Sequence, residues 1–451
     1  MEKNKTSEDS IKILNRRSFI IIIVGAILSF IVSLRLFSLQ VINFNFYKKK
    51  SVENKLSIKL TPPLRGDIYD SKKNLLAGSS SLYEFVVFKN LSKDHFQEIK
   101  KLDSLINLNL NFEEISKRLK KYNEYSGFSL SRASWEQIVE FEKNKFLFNS
   151  IKIIESKKRY YPYQNFSQII GYMGQPTQSS ELYSKGVFHL EKSYEKHLKG
   201  TPGKIFSEVN AKGKTIREIS IEKSIKGNDL DLTLDLSLQN YAQSQLPRNK
   251  KGSIVVISVS DGSILSMNSN PTFDAQIFED RVNNKIQDLL NNDQKPLFNR
   301  AFSGFYPPGS VFKPISALVG LQRNLIDPQK EVFCKGHSSL GDRNYYCWKK
   351  KGHGKVNLKK ALKESCDVYF YELAKKTNID DIASLSSNLG LNKEYDIGLS
   401  NIGKGLVPSK KWKKAFLEES WYQGETLITC IGQGYNQTSP LQLATLYSAI
   451  L

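Results

Sequence analysis

Acidic residues are the scarce class in this 451-residue chain: 45 Asp and Glu stand against 66 Lys and Arg, a formal net charge of +21. Such a deficit points first to acidic partners, nucleic acid or anionic lipid. The lysines are scattered, however, through a sequence rich in Lys, Asn and Ile. No nucleic-acid motif accompanies them, so the excess reads as compositional bias and nucleic acid is not an expected partner. Internal repeats and low-complexity blocks are missing as well. A hydrophobic share of 40% with 11% aromatics excludes a disordered protein. The length suits two or three domains, each with its own core. Cysteine is scarce, four in all, yet three of the four lie within 33 residues.

Charge is absent altogether from "FIIIIVGAILSFIVSL", residues 19–34, and the apolar character continues past Arg35 to Ile42. About 20–24 residues suffice to span a bilayer as a helix. Lys3, Lys5, Lys12, Arg16 and Arg17 precede the run, and by the positive-inside bias they keep the N-terminus cytoplasmic. A cleaved signal peptide would have a shorter apolar core and a small-residue cleavage site, and the stretch has neither. The expectation is a bitopic membrane protein: a cytoplasmic tail over 1–18, an anchor over 19–42, and everything beyond residue 45 or so outside the cytoplasm.

Residues 46–228 mix strand and helix signals and read as a non-catalytic module. "LYEFVVFKN" has the look of a strand, and "NFEEISKRLKKY" that of an amphipathic helix with Glu and Lys four apart. "GTPGK" and "NAKGK" mark turns. Three further stretches stand out: "RGDIYD" (65–70), "RYYP" (159–162) and "GVFHLEKSYEKHLKG" (186–200). A second domain, 229–451, begins with "DLDLTLDLSLQ", alternating before it turns helical. "GSIVVISVSDGSILSMNSNP" (252–271) then reads as two strands about the turn dipeptide Asp261-Gly262. The fold class expected is α+β.

The chemistry concentrates in "NRAFSGFYPPGSVFKPISALVG" (299–320). Ser310 follows a Pro-Pro-Gly turn and opens an apolar-periodic segment, with Lys313 three residues on; in a helix such positions share a face and can touch. Serine is a poor nucleophile until a neighbour takes its proton, and a lysine takes it only where burial or charge lowers its pKa. A helix start also turns free N–H groups toward developing negative charge. Pro314 looks like a broken rule there, as is expected at functional sites. A bare serine-x-x-lysine arises often by chance, and a lone serine-x-aspartate is usually a helix cap. "ESCDVYFYELA" (364–374) nevertheless supplies Ser365 and Asp367 in the right order after the first motif. Ser365 is placed to relay a proton between Lys313 and the reacting amine, and Asp367 to hold the lysine or the substrate.

The three clustered cysteines, Cys334, Cys347 and Cys366, have His353 between the last two, with spacers of twelve, five and twelve residues. Outside the cytoplasm a Cys334–Cys347 disulfide is the default. Three thiolates and an imidazole are equally a closed tetrahedral zinc set. The spacing is not that of a zinc finger.

Serine-x-x-lysine, a serine-aspartate-asparagine type motif and lysine-threonine-glycine form the penicillin-interacting set. The chain resembles the class B penicillin-binding proteins, most closely their elongation-specific branch, over nearly all its residues. "RGDIYD", "RYYP" and "GVFHLEKSYE" match the family's pedestal, a dimerisation-like domain. "NPTFD", "NRAFSGFYPPGSVFKP", "WKKKGHGKVNL", "ESCDVYFYELA" and "GETLITCIGQGYNQTSPLQLA" match its transpeptidase domain. The Gly-His-Gly segment and the serine-cysteine-aspartate motif favour the elongation branch over the septal one. No glycosyltransferase domain precedes the pedestal, which fits class B. The resemblance implies an antiparallel sheet flanked by helices and D,D-transpeptidation through an acyl-serine at Ser310, assisted by Lys313, Ser365 and Asp367. Peptidoglycan stem peptides are the implied substrates, and β-lactams would acylate the same serine. The implied partners are a RodA-type membrane glycosyltransferase and other elongation-complex proteins. Metal sites near the second motif occur in such relatives, which favours structural Zn2+ at Cys334, Cys347, His353 and Cys366 over the disulfide.

The family's lysine-threonine-glycine motif is missing: "GKTI" (213–216) lies in the wrong domain and "KKTN" (375–378) lacks the glycine. The chain ends at "LATLYSAIL" inside a helical pattern, so it reads as C-terminally incomplete, with low turnover expected of it. Two alternatives accompany the main reading. One is a membrane-anchored β-lactam sensor or hydrolase relative, against which stand the long pedestal and the lack of a deacylating glutamate motif. The other is a catalytically degenerate scaffold of the elongation machinery.

Overall fold

The computed structural model describes residues 5–45, 47–48, 56–121, 127–174, 184–209, 215–280 and 282–451. The "NAKGK" turn and Lys3 lie outside the described residues. Two compact units emerge, one formed by 1–63 with 201–225, the other by 64–200 with 226–451.

In the first unit a helix runs Lys5–Phe37 and ends in a π turn, Ser38–Ile42. Its segment Ser18–Ile42 has a mean hydropathy of 2.7 and buries none of its side chains within the protein. A helix satisfies its own backbone, so such a segment suits a hydrocarbon environment. The unit's sheet places strand Gly203–Val209 between Leu56–Thr61 and Thr215–Glu222, all antiparallel, with Leu60 opposite Lys204 and Ile205 opposite Ile221.

The second unit begins with the expected α+β module. Its long strand Leu75–Val87 contains "LYEFVV" and pairs antiparallel with both Phe128–Ala133 and Ile151–Tyr160. Helix His95–Ile106 turns Ile99, Leu102 and Ile106 to this sheet. Helix Trp135–Lys143 starts at a capping box, in which Ser134 and Gln137 satisfy each other's free N–H groups. Phe141 then fits between Phe85 and Phe148, with ring centroids 5.3 and 5.2 Å away. Full burial contributes about 1.5–3 kcal/mol for each such ring.

The three stretches singled out in the pedestal converge on one carboxylate. Glu191 is fully buried. Its Oε2 accepts from Arg65 Nε at 2.6 Å, and its Oε1 from Arg159 Nε at 2.7 Å and Tyr161 OH at 3.3 Å. Arg65 also reaches Glu195 at 2.7 Å, and Arg159 NH1 donates to the Gly66 carbonyl at 2.7 Å. Gly66 has no room for a side chain, because a Cβ there would stand 1.9 Å from the Asn228 carbonyl oxygen. Asp70 ties this module to the start of the second domain. Its carboxylate accepts from the N–H groups of Lys72, Asn74 and Leu236 at 2.9, 2.7 and 3.0 Å. Burial alone would raise its pKa, but hydrogen bonds from Asn74, Leu236 and Lys72 outweigh that and hold it below the ordinary value.

Asp235 caps helix Leu236–Gln245. The hairpin expected about Asp261-Gly262 is present, Gly252–Ile257 against Ile264–Asn270, with Gly262 at φ +74°. Helix Pro440–Ile450, capped by Ser439 and Gln442, packs on this hairpin. Beyond it lies a helical lobe whose core includes Phe312, Ile315, Val319, Val368, Phe370, Ile382 and Leu427. Two of its helices, Lys313–Gln322 and Asp367–Ala374, pack together and bring the two serine motifs face to face.

Candidate active site

The Pro-Pro-Gly sequence ends in a short 3-10 turn, Gly309–Phe312, with Gly309 at φ +61°. Gly309 N–H donates to the Gly432 carbonyl at 2.8 Å. A Cβ on Gly432 would stand 2.1 Å from the Gly309 carbonyl oxygen, so only glycine fits behind the turn. This accounts for the first glycine of "CIGQGY". Ser310 is exposed at the turn while Lys313, one turn on, is 1% exposed.

Pro314 does not break the helix, contrary to its reading as a disruption. It sits in the first turn of Lys313–Gln322, where the N–H it lacks would have had no intrahelical partner. Direct contact between Ser310 and Lys313 is also replaced by something more specific. Lys313 Nζ donates to Ser365 Oγ at 2.9 Å, Ser365 O at 2.9 Å and Asp367 Oδ1 at 2.7 Å. Ser365 Oγ then donates to Ser310 Oγ at 2.6 Å. The link from Lys313 to Ser310 therefore runs through the second serine. Ser365 holds a left-handed backbone, φ +53°, uncommon for a residue with a side chain. Asp367, at the start of its helix, forms the buried ion pair that fixes Lys313. Phe370 lies under the ammonium, 5.6 Å from ring centroid to Nζ.

Beside this array, Cys334, Cys347, His353 and Cys366 are all buried, and their four donor atoms lie within 4.8 Å of one another. Both Cys334 Sγ and Cys347 Sγ stand 3.6 Å from His353 Nδ1. Zinc–sulfur and zinc–nitrogen bonds of ordinary length in a tetrahedron place such atoms about 3.6 Å apart. All four cysteines of the chain are free thiols. Burial pushes the Cys366 thiol up to about 12 and also raises that of Cys347. The donor set therefore fits a divalent cation of tetrahedral preference, whose charge would draw those protons off.

Residues 252–451 match the model of the penicillin binding protein transpeptidase domain, and residues 60–232 that of the penicillin-binding protein dimerisation domain. Peptidoglycan D,D-transpeptidase MrdA of Haemophilus influenzae is 30% identical over 449 residues, covering 95% of this chain and 69% of the relative. The chain belongs to the penicillin-binding proteins. The enzyme of the same name from Acinetobacter baumannii is 33% identical over 90% of this chain and 63% of its own length. This chain thus spans about two thirds of the relatives' length. Among solved structures, the complex of penicillin-binding protein PBP2 with MreC from Helicobacter pylori superposes with a TM-score of 0.76 at 28% identity, over 86% of this chain and 76% of that one. A peptidoglycan synthase complex superposes at 0.70 and 26% identity, over 96% and 77%.

Its function is accordingly that of a serine-type peptidoglycan D,D-transpeptidase, a chemistry that needs no cofactor. The sensor and scaffold readings gain no support from these relatives. The α+β class, the apolar N-terminal helix and the pairing of a pedestal with a transpeptidase domain are borne out. For this penicillin-binding protein, the four candidate catalytic side chains lie in one hydrogen-bonded chain and the four candidate ligands in one cluster. Sequence reading gave no role to Gly432, which backs the turn carrying Ser310, or to Trp348, whose main-chain N–H donates to Asp367 Oδ2 at 3.0 Å. The doubled glycine of "GQG" carried a signal for the first. Trp348 opens the quoted "WKKKGHGKVNL", but nothing local shows that it would meet Asp367.

Proposed function

We propose that this penicillin-binding protein cross-links stem peptides through Ser310, with Lys313 as base, Ser365 as proton relay and Asp367 as the lysine's anchor. The continuous Lys313–Ser365–Ser310 hydrogen-bond chain carries the proposal. With Lys313 in its amine form, Ser310 passes its proton to Ser365 as Ser365 passes its own to Lys313. Ser310 Oγ meanwhile bonds the carbonyl carbon of the penultimate D-alanine. Asp367 stabilises the ammonium so created. Collapse of the tetrahedral intermediate breaks the C–N bond, and the proton returns through Ser365 to the departing D-alanine amine. The amine of a second stem then attacks the ester, completing the cross-link and restoring the Ser310 hydroxyl. A β-lactam would enter the same route and stop at the acyl-serine. Covalent labelling by a fluorescent penicillin, prevented by prior incubation with unlabelled drug, tests the reading; absence of labelling in folded protein contradicts it.

The same reading places residues 1–18 in the cytoplasm, 19–42 in the inner membrane, the pedestal over 46–228 and the transpeptidase domain over 229–451 in the periplasm. The basic residues before the apolar run support that orientation. The elongation-type partners would be a RodA-type glycosyltransferase and MreC-like proteins. Support comes from likeness to the protein seen with MreC and to the complex said to coordinate polymerisation with crosslinking. The pedestal is the proposed contact. Deleting residues 46–228 while keeping the anchor should abolish co-purification of the glycosyltransferase from detergent, whereas equal recovery by the anchor alone contradicts that role.

Cys334, Cys347, His353 and Cys366 would hold structural Zn2+, supported by the fit of their spacing and donor types. Holding a metal there would tie Cys366, and with it the adjoining Ser365, to Cys334, Cys347 and His353. Elemental analysis without chelators should find about one zinc per chain, as a closed four-ligand site requires. Cys347→Ala should lose the metal and slow acylation of Ser310. A Cys334–Cys347 bridge without zinc in the intact mass contradicts the assignment.

A further inference from the structure

Trp348 stands in the segment between Cys347 and His353 and has no part in the proton route above. Its side chain is 65% exposed, so burial does not account for a tryptophan here. Both of its N–H groups nevertheless reach the second motif. The indole Nε1 donates to the Ser365 carbonyl at 3.1 Å and the Glu364 carbonyl at 3.2 Å. The main-chain N–H donates to Asp367 Oδ2 at 3.0 Å. Lys313 takes the remaining positions on the same two acceptor groups, the Ser365 carbonyl at 2.9 Å and Asp367 Oδ1 at 2.7 Å. Each acceptor is thus gripped by Lys313 and by Trp348 together.

The grip matters because of Ser365. Its left-handed backbone, φ +53°, is one that a side-chain-bearing residue keeps only when its surroundings hold it there. That conformation aims Oγ at Ser310, 2.6 Å away, and turns the carbonyl toward the two donors. Lys313 alone is a poor restraint, because during acylation it must also exchange protons with Ser365. An indole N–H does not take part in that exchange. It holds the carbonyl while the proton moves. The indole also meets His353 edge to face, ring centroids 5.5 Å apart at 67°, which sets its own position.

We propose that Trp348 is a positioning residue for acylation: its indole N–H latches the Ser365 carbonyl and thereby keeps the relay hydroxyl aimed at the nucleophile. The proposal rests on the reading of Ser310 as that nucleophile. Its test separates the saturating acylation rate from the apparent dissociation constant of a fluorescent penicillin on the full chain. Trp348→Phe keeps a ring against His353 and removes the N–H. The saturating rate should fall about tenfold, as the loss of one well-placed hydrogen bond allows, with the dissociation constant within about twofold. Zinc content and melting midpoint should stay those of the parent. Should Trp348→Phe fold poorly, benzothienylalanine at the same position replaces only the N–H by sulfur and should show the same loss. An unchanged saturating rate overturns the latch, as does a weaker dissociation constant alone, which would make Trp348 a substrate surface. A reduced active fraction at unchanged rate would make it merely structural and overturns the latch too. Persistent labelling of Ser310→Ala would instead overturn the underlying nucleophile, whatever Trp348 does.

Discussion

Ser310→Ala is expected to abolish covalent labelling by a fluorescent penicillin, and Lys313→Ala to slow it by about a thousandfold or more, the scale of losing a general base. The two effects should not add, because Ser310, Ser365 and Lys313 form one hydrogen-bonded unit and removal of either end disables it. Lys313 is buried, so Lys313→Ala also leaves the Asp367 carboxylate without the cation it faces at 2.7 Å. Melting curves must therefore accompany the kinetics. Folded Lys313→Ala protein that still labels at the parental rate would remove the lysine from the mechanism.

The largest effect on stability is expected at a residue far from the chemistry. Glu191→Ala strands Arg65 and Arg159, both buried, after removing the carboxylate that each meets at 2.6 and 2.7 Å. Removing one member of a buried charge group costs about 3–5 kcal/mol, because the remaining charges keep their desolvation penalty without the attraction that offset it. Arg65 retains Glu195 as a partial substitute, so Arg159 is the more exposed to the loss. Thermal unfolding followed by circular dichroism should show a large drop in the midpoint. A midpoint unchanged from the parent would mean that the three pedestal stretches are held by something other than Glu191.

How much of this was legible in the sequence depended on distance along the chain. The apolar N-terminal helix, the Asp261-Gly262 hairpin and the helix over "NFEEISKRLKKY" follow from neighbours a few residues apart, and each is present. The candidate site was legible as motifs because Ser310 and Lys313 share one turn and Ser365 and Asp367 another. Their order of contact was not. Helical spacing suggests that Ser310 and Lys313 meet directly, whereas packing of helix Lys313–Gln322 against Asp367–Ala374 brings Ser365 between them. Pro314 misled in the other direction, since its place in the first turn makes its missing donor harmless. Non-local partners stayed invisible. Glu191 gathers stretches that begin at residues 65, 159 and 186, Gly432 backs a turn more than a hundred residues earlier, and Trp348 acts through its N–H groups. No periodicity marks such contacts, because they arise only when separate elements close on one another.

The central claim is that Ser310 carries the acyl group, and peptide mapping by mass spectrometry tests it most directly. After brief exposure to benzylpenicillin, the intact protein should gain the mass of one ring-opened drug per chain, in line with a single nucleophile. Digestion should place that mass on the peptide containing Ser310, and on no peptide of Ser310→Ala. An adduct on Ser365, or on any other residue with Ser310 unmodified, would contradict the account.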